Sequence, residues 1–270
     1  MTPAPTHPMP NLRLLAITSA MATILHAQGD APAPRDTSRY TTVGAVAGYT
    51  DFRGDIAPWR DLSISIARHA PGGSLIARIN VGSHFGETGT QLEVDAYPHL
   101  GPGRYLYVNA GYSGSSIFPT ERVGAEIYTN LPHAWEASVG LRTLWFGGSP
   151  VALFTGTVGK YAGNYWISVR PYVHQSATGT SASAGLTVRR YTSDADNYLG
   201  GSVSAGSSPT DRITPDLVGR TSSTSIGLQG SATVGRTLIV RWTAGYDSEG
   251  IAPGNTRRDL SVSVGTTLKY

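Results

Sequence analysis

The sequence predicts an all-β fold, a transmembrane antiparallel up-and-down β-barrel of about 14 strands, with 12 as the alternative count. Three observations carry this. Apolar and polar residues alternate with a period of two through most of the chain after Arg39, the pattern of strands that present different faces to different surroundings. Charged residues make up only 14% of the 270 positions while apolar residues reach only 40%; ordinary soluble domains carry roughly 25% charge. The missing charge is replaced by polar and amphipathic residues, among them 33 Gly and 14 Tyr. Finally, the chain opens on an export-like leader and then contains no apolar run long enough for a helical span, which needs roughly 20 residues.

The leader is expected over residues 1–27. Arg13 supplies the positive region, Leu14 to Leu25 the short apolar run, and Leu25-His26-Ala27 a small residue ahead of a cut before Gln28. A flexible N-terminal segment, 28–39, follows, and residues 40–270 are expected to form the barrel. The chain has no Cys. This argues against a lipidated anchor, and it excludes thiol catalysis and Cys-based metal sites. Arg13 is the only charged residue of the leader, so the remainder carries 20 basic and 18 acidic groups. That balance, with the basic residues scattered, gives no footprint for nucleic acid.

Strands are expected at Tyr40–Thr50, Leu62–His69, Ser74–His84, Thr90–Tyr97, Arg104–Ser113, Glu121–Tyr128, Trp135–Phe146, Val151–Tyr161, Tyr165–His174, Ser181–Tyr191, Tyr198–Ser207, Ser223–Val234, Thr237–Tyr246 and Arg258–Tyr270. The alternation is clearest near the end. Leu260, Val262, Val264, Leu268 and Tyr270 share one face there, and Ser261, Ser263, Gly265, Thr267 and Lys269 share the other. Connections are expected to alternate in length, with long ones at Asp51–Arg60, Ser207–Ser222 and Asp247–Arg257. Tight ones are expected at Ala70–Gly73, His99–Gly103, Asn130–His133 and Gly235-Arg236. Long extracellular loops and short periplasmic turns are the barrel habit. The aromatic end of the last strand, Tyr270, suits closure against the first strand and recognition by the barrel assembly machinery. Tyr49, Trp59, Tyr112, Phe118, Trp135, Phe146, Tyr161, Tyr165, Tyr198, Trp242 and Tyr246 fall near strand ends, where headgroup-level aromatics belong.

The face turned to the lumen is expected to carry Arg78, Glu93, Asp95, Arg122, Glu126, Glu136, Arg142, Arg170, Arg189, Arg241, Asp259 and Lys269, with the aromatics Tyr105, Tyr107, Tyr128, Trp166 and Tyr172. Two readings stand. The charges pair across strands and close the interior, or they line a narrow water path in which aromatic rings stack on sugar faces. Nucleophile chemistry has thin support. His84 and His174 lie near the outer rim close to Ser83 and Ser176, but serine is abundant and a Ser–His pair is a matter of spatial geometry. The run Ser193–Gly200 starts like a calcium loop, yet the position needing Glu falls on Ala205, so a polar turn is the better reading. No metal or cofactor is expected.

Several segments resemble the YaiO family of outer-membrane β-barrels: Arg104–Ser113 (RYLYVNAGYS), Phe118–Arg122 (FPTER), Gly124–Glu126 with Leu131-Pro132 and Trp135-Glu136, Lys160–Trp166 (KYAGNYW) and Arg189–Gly200 (RRYTSDADNYLG). The resemblance runs from about Tyr40 to Tyr270. It implies an outer-membrane barrel and no catalytic residues to carry over. Relatives with TPR repeats or beside glycosyltransferases imply surface-polysaccharide export, although this chain has no TPR region. The expected function is a narrow porin-like channel or envelope component. The alternatives are a structural or surface-interaction barrel with a blocked lumen, and a lipid-modifying hydrolase. Expected partners are outer-membrane lipid and lipopolysaccharide, the assembly machinery and a saccharide, with the chain monomeric.

Overall fold

Period-two segments in the sequence become fourteen strands in the computed structural model, which describes residues 39–54, 56–147, 149–176, 179–207, 222–252 and 255–270. The expected leader and nearly all of the segment 28–39 lie outside the described residues. The strands are β1 (Tyr40–Phe52), β2 (Trp59–Ala70), β3 (Gly73–His84), β4 (Glu87–Gly101), β5 (Arg104–Tyr112), β6 (Glu121–Leu131), β7 (Trp135–Phe146), β8 (Ser149–Ala162), β9 (Tyr165–Ser176), β10 (Gly179–Tyr191), β11 (Tyr198–Gly206), β12 (Ser222–Val234), β13 (Leu238–Ala252) and β14 (Asn255–Lys269). Each strand pairs antiparallel with its sequence neighbours, and β14 returns to β1 to close the barrel. The closing ladder runs from Thr42 opposite Lys269 to Phe52 opposite Asp259. Closure leaves no strand edge unpaired, which a hydrocarbon surround requires.

The two faces are inverted relative to a soluble protein. On β3, Leu75 and Ile79 are exposed while Arg78 and Asn80, on either side of Ile79, are buried. On β7, Val139 is 66% exposed, whereas Glu136 and Arg142 are buried. Large apolar side chains thus cover the outside and polar ones fill the inside, the arrangement of a wall in lipid. Among the described residues no helix is long and apolar enough to cross a membrane.

The end that carries the longest connections, 113–120 and 207–221, is the extracellular end by the loop-length habit. Length alternation is weaker than the sequence suggested. Asp247–Arg257, expected as a long loop, continues as paired β13 and β14 up to Ala252 opposite Asn255. Glu249 and Arg257 face each other across that ladder with a 2.6 Å ion pair, so polar content there marks inward positions rather than a loop. The β3–β4 turn is two residues, Phe85 and Gly86, both at positive φ (49° and 84°), as a primed hairpin turn demands. At the periplasmic end the β10–β11 connection spans six residues, 192–197. Asp194 organises it, accepting from Asp196 N at 2.9 Å and Asn197 Nδ2 at 2.7 Å.

The aromatic belt also needs correction. Tyr49, Tyr112, Trp135, Tyr165 and Trp242 are exposed on the outer wall. Trp59, Phe118 and Tyr198 are buried instead. Tyr161 donates to Glu136, and Phe146 packs against Leu144, Val151 and Leu153. These five serve the interior: Trp59, Phe146, Tyr161 and Tyr198 because strand parity, rather than nearness to a strand end, decides which side a ring faces, and Phe118 because the 113–120 connection carrying it folds inward.

Candidate functional site: the barrel lumen

The interior is divided between a wall dominated by long side chains, β3–β9, and a wall whose middle is built of small ones, β10–β13. On the first wall the carboxylates are the organising groups. Glu93 on β4 accepts from Arg78 at 3.1 Å, Asn109 at 2.8 Å and Asn80 at 3.1 Å, and Arg122 approaches it to 3.3 Å. Asp95, two residues along on the same face, accepts from Arg78 at 3.0 Å, Asn109 at 2.6 Å and Tyr107 at 3.2 Å. Glu93 is only 2% exposed. Charges so removed from water persist only when paired and hydrogen-bonded, as these are. Gly111 makes part of the network possible: a Cβ there would stand 2.8 Å from Arg122 Cγ, blocking the path of that side chain towards Glu93.

A second knot surrounds Glu126 on β6. Its Oε2 accepts from Arg142 on β7 at 3.2 Å and from Arg170 on β9 at 3.0 Å, and its Oε1 accepts from Ser138 Oγ at 2.5 Å. Arg170 also donates to Tyr128 at 2.9 Å, and Tyr128 stacks on Tyr105 with centroids 4.5 Å apart. Arg142 lies over the Tyr107 ring at 5.5 Å, joining the two knots.

A third group sits towards the periplasmic end. Glu136 accepts from Trp166 Nε1 at 2.8 Å. The Arg189 guanidinium lies between the rings of Trp166 (5.1 Å) and Tyr198 (4.8 Å) and donates to Gln229 at 3.2 Å. Arg241 stands apart from all three groups. It donates to Thr267 and to Asp196, each at about 3 Å, and so ties the 192–197 turn to the wall.

The extracellular end of this half is closed by apolar and aromatic side chains. Phe52 and Trp59 lie 4.4 Å apart by centroid, with Phe85 and His84 against Trp59. The 113–120 connection folds in over them: Ile117 is 1% and Phe118 4% exposed, and Phe118 meets the His84 ring at 6.2 Å. Ser113 pins that connection by donating to the Thr90 carbonyl at 2.7 Å, and Ser116 bonds to Glu87. Arg257 lies over both Phe52 and Trp59 at under 6 Å. Sequence reasoning missed this plug. The one signal for it was Ile117-Phe118-Pro119, three apolar residues together in a connection.

The imidazoles have other partners than the serines considered. His84 Nε2 pairs with Asp61 at 3.0 Å, and Ser83 lies on the opposite strand face. His174 Nδ1 bonds to the Ala152 carbonyl at 2.9 Å, and the side chain of Ser176 lies outside the described residues. A different Ser–His pair does occur, Ser74 Oγ with His69 Nδ1 at 2.8 Å, its ring stacked on Tyr40. Among the described residues no three His, Asp or Glu side chains gather as a metal site.

The opposite wall is built from Gly185 and Thr187 on β10, Ser202 and Ser204 on β11, Ser225, Gly227 and Gln229 on β12, and Thr243 and Gly245 on β13, all partly exposed. Hydroxyls bridge neighbouring strands there, Ser204 to Ser225 at 2.5 Å and Thr243 to Ser263 at 2.8 Å. None of these nine residues carries a formal charge; the charged inward residues of the same four strands, Arg189, Arg241, Asp247 and Glu249, lie towards the two ends of the strip.

A closed antiparallel cylinder with an apolar exterior and a charged, hydrogen-bonded interior defines an outer-membrane β-barrel protein. Within that class the chain belongs to the YaiO family: the model of the YaiO membrane beta barrel domain matches residues 40–211. The matched span stops in the β11–β12 connection, short of the Tyr270 limit suggested by the sequence segments. Among solved structures, Omp33 of Acinetobacter baumannii is similar over 87% of this chain and 100% of its own, at 10% identity and a TM-score of 0.52. A bacterial polysaccharide outer membrane secretin is similar over 87% of this chain and 99% of its own, at 7% identity and a TM-score of 0.53. At such identities the likeness is one of fold alone. No curated protein matches the chain.

Proposed function

We propose that this barrel is a narrow pore, acting as a single chain, whose water path runs off-centre along the small-residue wall of β10–β13. The observation that carries this reading is the contrast between the walls. Charges on β3–β9 saturate one another and exclude solvent, while the hydroxyls and glycines opposite remain partly exposed. A neutral, hydroxyl-lined strip offers donors and acceptors without a fixed charge. Small neutral solutes rich in hydroxyls, saccharides above all, fit that chemistry better than ions of either sign. The named role of the similar secretin and the export setting implied for YaiO relatives agree with a saccharide cargo.

The extracellular plug favours a second reading, a structural barrel with a blocked lumen. Planar-bilayer recording separates the two. The pore reading expects small discrete conductance steps from the wild type, larger steps from an Ile117→Ala, Phe118→Ala double variant, and loss of current in Ser225→Trp, which puts an indole into the strip. Absence of ion current from the wild type and from the plug variant alike would contradict the pore and favour the blocked barrel. The hydrolase alternative draws no support from His84 or His174, whose imidazoles bond to Asp61 and to a backbone carbonyl.

A further inference from the structure

On the outer wall at the periplasmic end, four consecutive strands present an alternation of ring and cation. Trp135 on β7 stands directly opposite Lys160 on β8, and Tyr165 on β9 directly opposite Arg190 on β10. Lys160 Nζ lies over the Trp135 ring at 4.5 Å, and the Arg190 guanidinium lies 5.9 Å from the Tyr165 centroid. Register makes the patch continuous: Lys160 opposes Ile167, two residues above Tyr165 on the same outward face.

Neither cation has a carboxylate partner among the described residues. Lys160 gives one donor to the His133 carbonyl at 3.2 Å, which leaves two of its three, and Arg190 is exposed. On its strands the same end carries Arg68 and Arg104 outward and, among the described residues, no outward acidic side chain; the carboxylates of this end that reach solvent, Asp194 and Asp196, lie in the 192–197 turn, where Asp194 accepts from Asn197 and Asp196 pairs with Arg241. At the extracellular end the outward charges are of both signs, Asp51 and Glu121 with Arg60 and Arg258. The two collars therefore differ in net charge.

We propose that Trp135, Lys160, Tyr165 and Arg190 form a docking patch for an anionic glycerophospholipid of the periplasmic leaflet. The rings sit at headgroup depth and hold the cations in place. The lipid phosphate supplies the counter-charge that the protein does not, while the neighbouring Val158 and Ile167, both exposed, meet the acyl chains. Cations on long stems reach the headgroup layer from such positions. The proposal concerns the outer wall only, so it stands whether or not the lumen conducts.

The test is lipid retention by the purified, folded barrel in equal mixtures of phosphatidylglycerol and phosphatidylcholine, read by native mass spectrometry. The wild type is expected to retain phosphatidylglycerol preferentially. A Lys160→Gln, Arg190→Gln double variant should lose roughly twenty-five-fold in that preference, about fivefold for each cation near an anionic surface. Lys160→Arg should keep it, and so should Arg60→Gln at the other collar. Unfolded variants are recognised by loss of heat-modifiable migration on gels and replaced by the single substitutions. An unchanged lipid ratio in the folded double variant, or an equal loss in Arg60→Gln, would overturn the proposal.

Discussion

Glu126 holds two arginines and a serine hydroxyl from β7 and β9. Removing its carboxylate leaves the buried Arg142 and the largely buried Arg170 with their shared anion gone. Breaking a buried pair by deleting one partner costs about 3–5 kcal/mol. Glu126→Ala should therefore lower unfolding stability by that order in urea titrations from lipid vesicles, whereas Glu121→Ala, exposed on the outer wall, should change it by less than about 0.5 kcal/mol. Inward placement of Glu126 was legible from the alternation of its strand. Its partnership with Arg170 was not, because that side chain reaches across the lumen from β9, 44 residues on in the chain. Trp59 and Phe118 differ from the expected belt for a related reason: Trp59 begins β2 and Phe118 lies in the 113–120 connection, and both rings turn into the mouth and pack with His84. At this scale sequence gives the side of the wall for residues within strands and gives neither partners nor plugs.

β3 shows what an element must satisfy. Its outward row runs Leu75, Ala77, Ile79, Val81, and its inward row includes Arg78 and Asn80. Ile79 is the centre of that outward row, flanked by Ile64 on β2 and Leu92 on β4, and so lies near the bilayer midplane. Ile79→Arg should destabilise the barrel by about 2–4 kcal/mol in vesicles, and Ile79→Leu by under about 1.5 kcal/mol; the same urea titration measures both. All fourteen strands were legible because lipid on one side and water or polar side chains on the other enforce a strict period of two. Boundaries failed where that contrast fades. Beyond Trp242 the outward row of β13 becomes Ala244, Tyr246, Ser248, Gly250, polar enough to read as a loop, yet the ladder with β14 continues to Ala252.

For the whole molecule, closure and asymmetry are separate properties. Closure follows from pairing β1 with β14 and satisfies every strand's hydrogen-bonding edge. Asymmetry follows from where the long side chains were placed: β3–β9 carry carboxylates, arginines and tyrosines along most of their inward length, while the middle of β10–β13 carries serines, threonines and glycines and keeps its long side chains, Arg189, Tyr198, Arg241 and Glu249, nearer the strand ends. The sequence contained this division, since Ser, Thr and Gly dominate inward positions from Ser183 to Gly245, but only a closed barrel sets the two walls opposite each other. A polar composition read along one strand has no lumen; the space exists between strands that are far apart in the chain.

The natural absence of cysteine allows that geometry to be read directly by introducing single cysteines into the folded protein in vesicles. Ser225→Cys should react with a charged, water-soluble thiol reagent. Ile226→Cys, one residue along and turned to lipid, should react only with a lipophilic maleimide. Thr157→Cys, inward but buried against the filled wall, should resist both until the protein is unfolded. Equal labelling of Ser225→Cys and Ile226→Cys by the charged reagent would contradict a membrane barrel with opposed faces, and equal labelling of Ser225→Cys and Thr157→Cys would contradict the off-centre path.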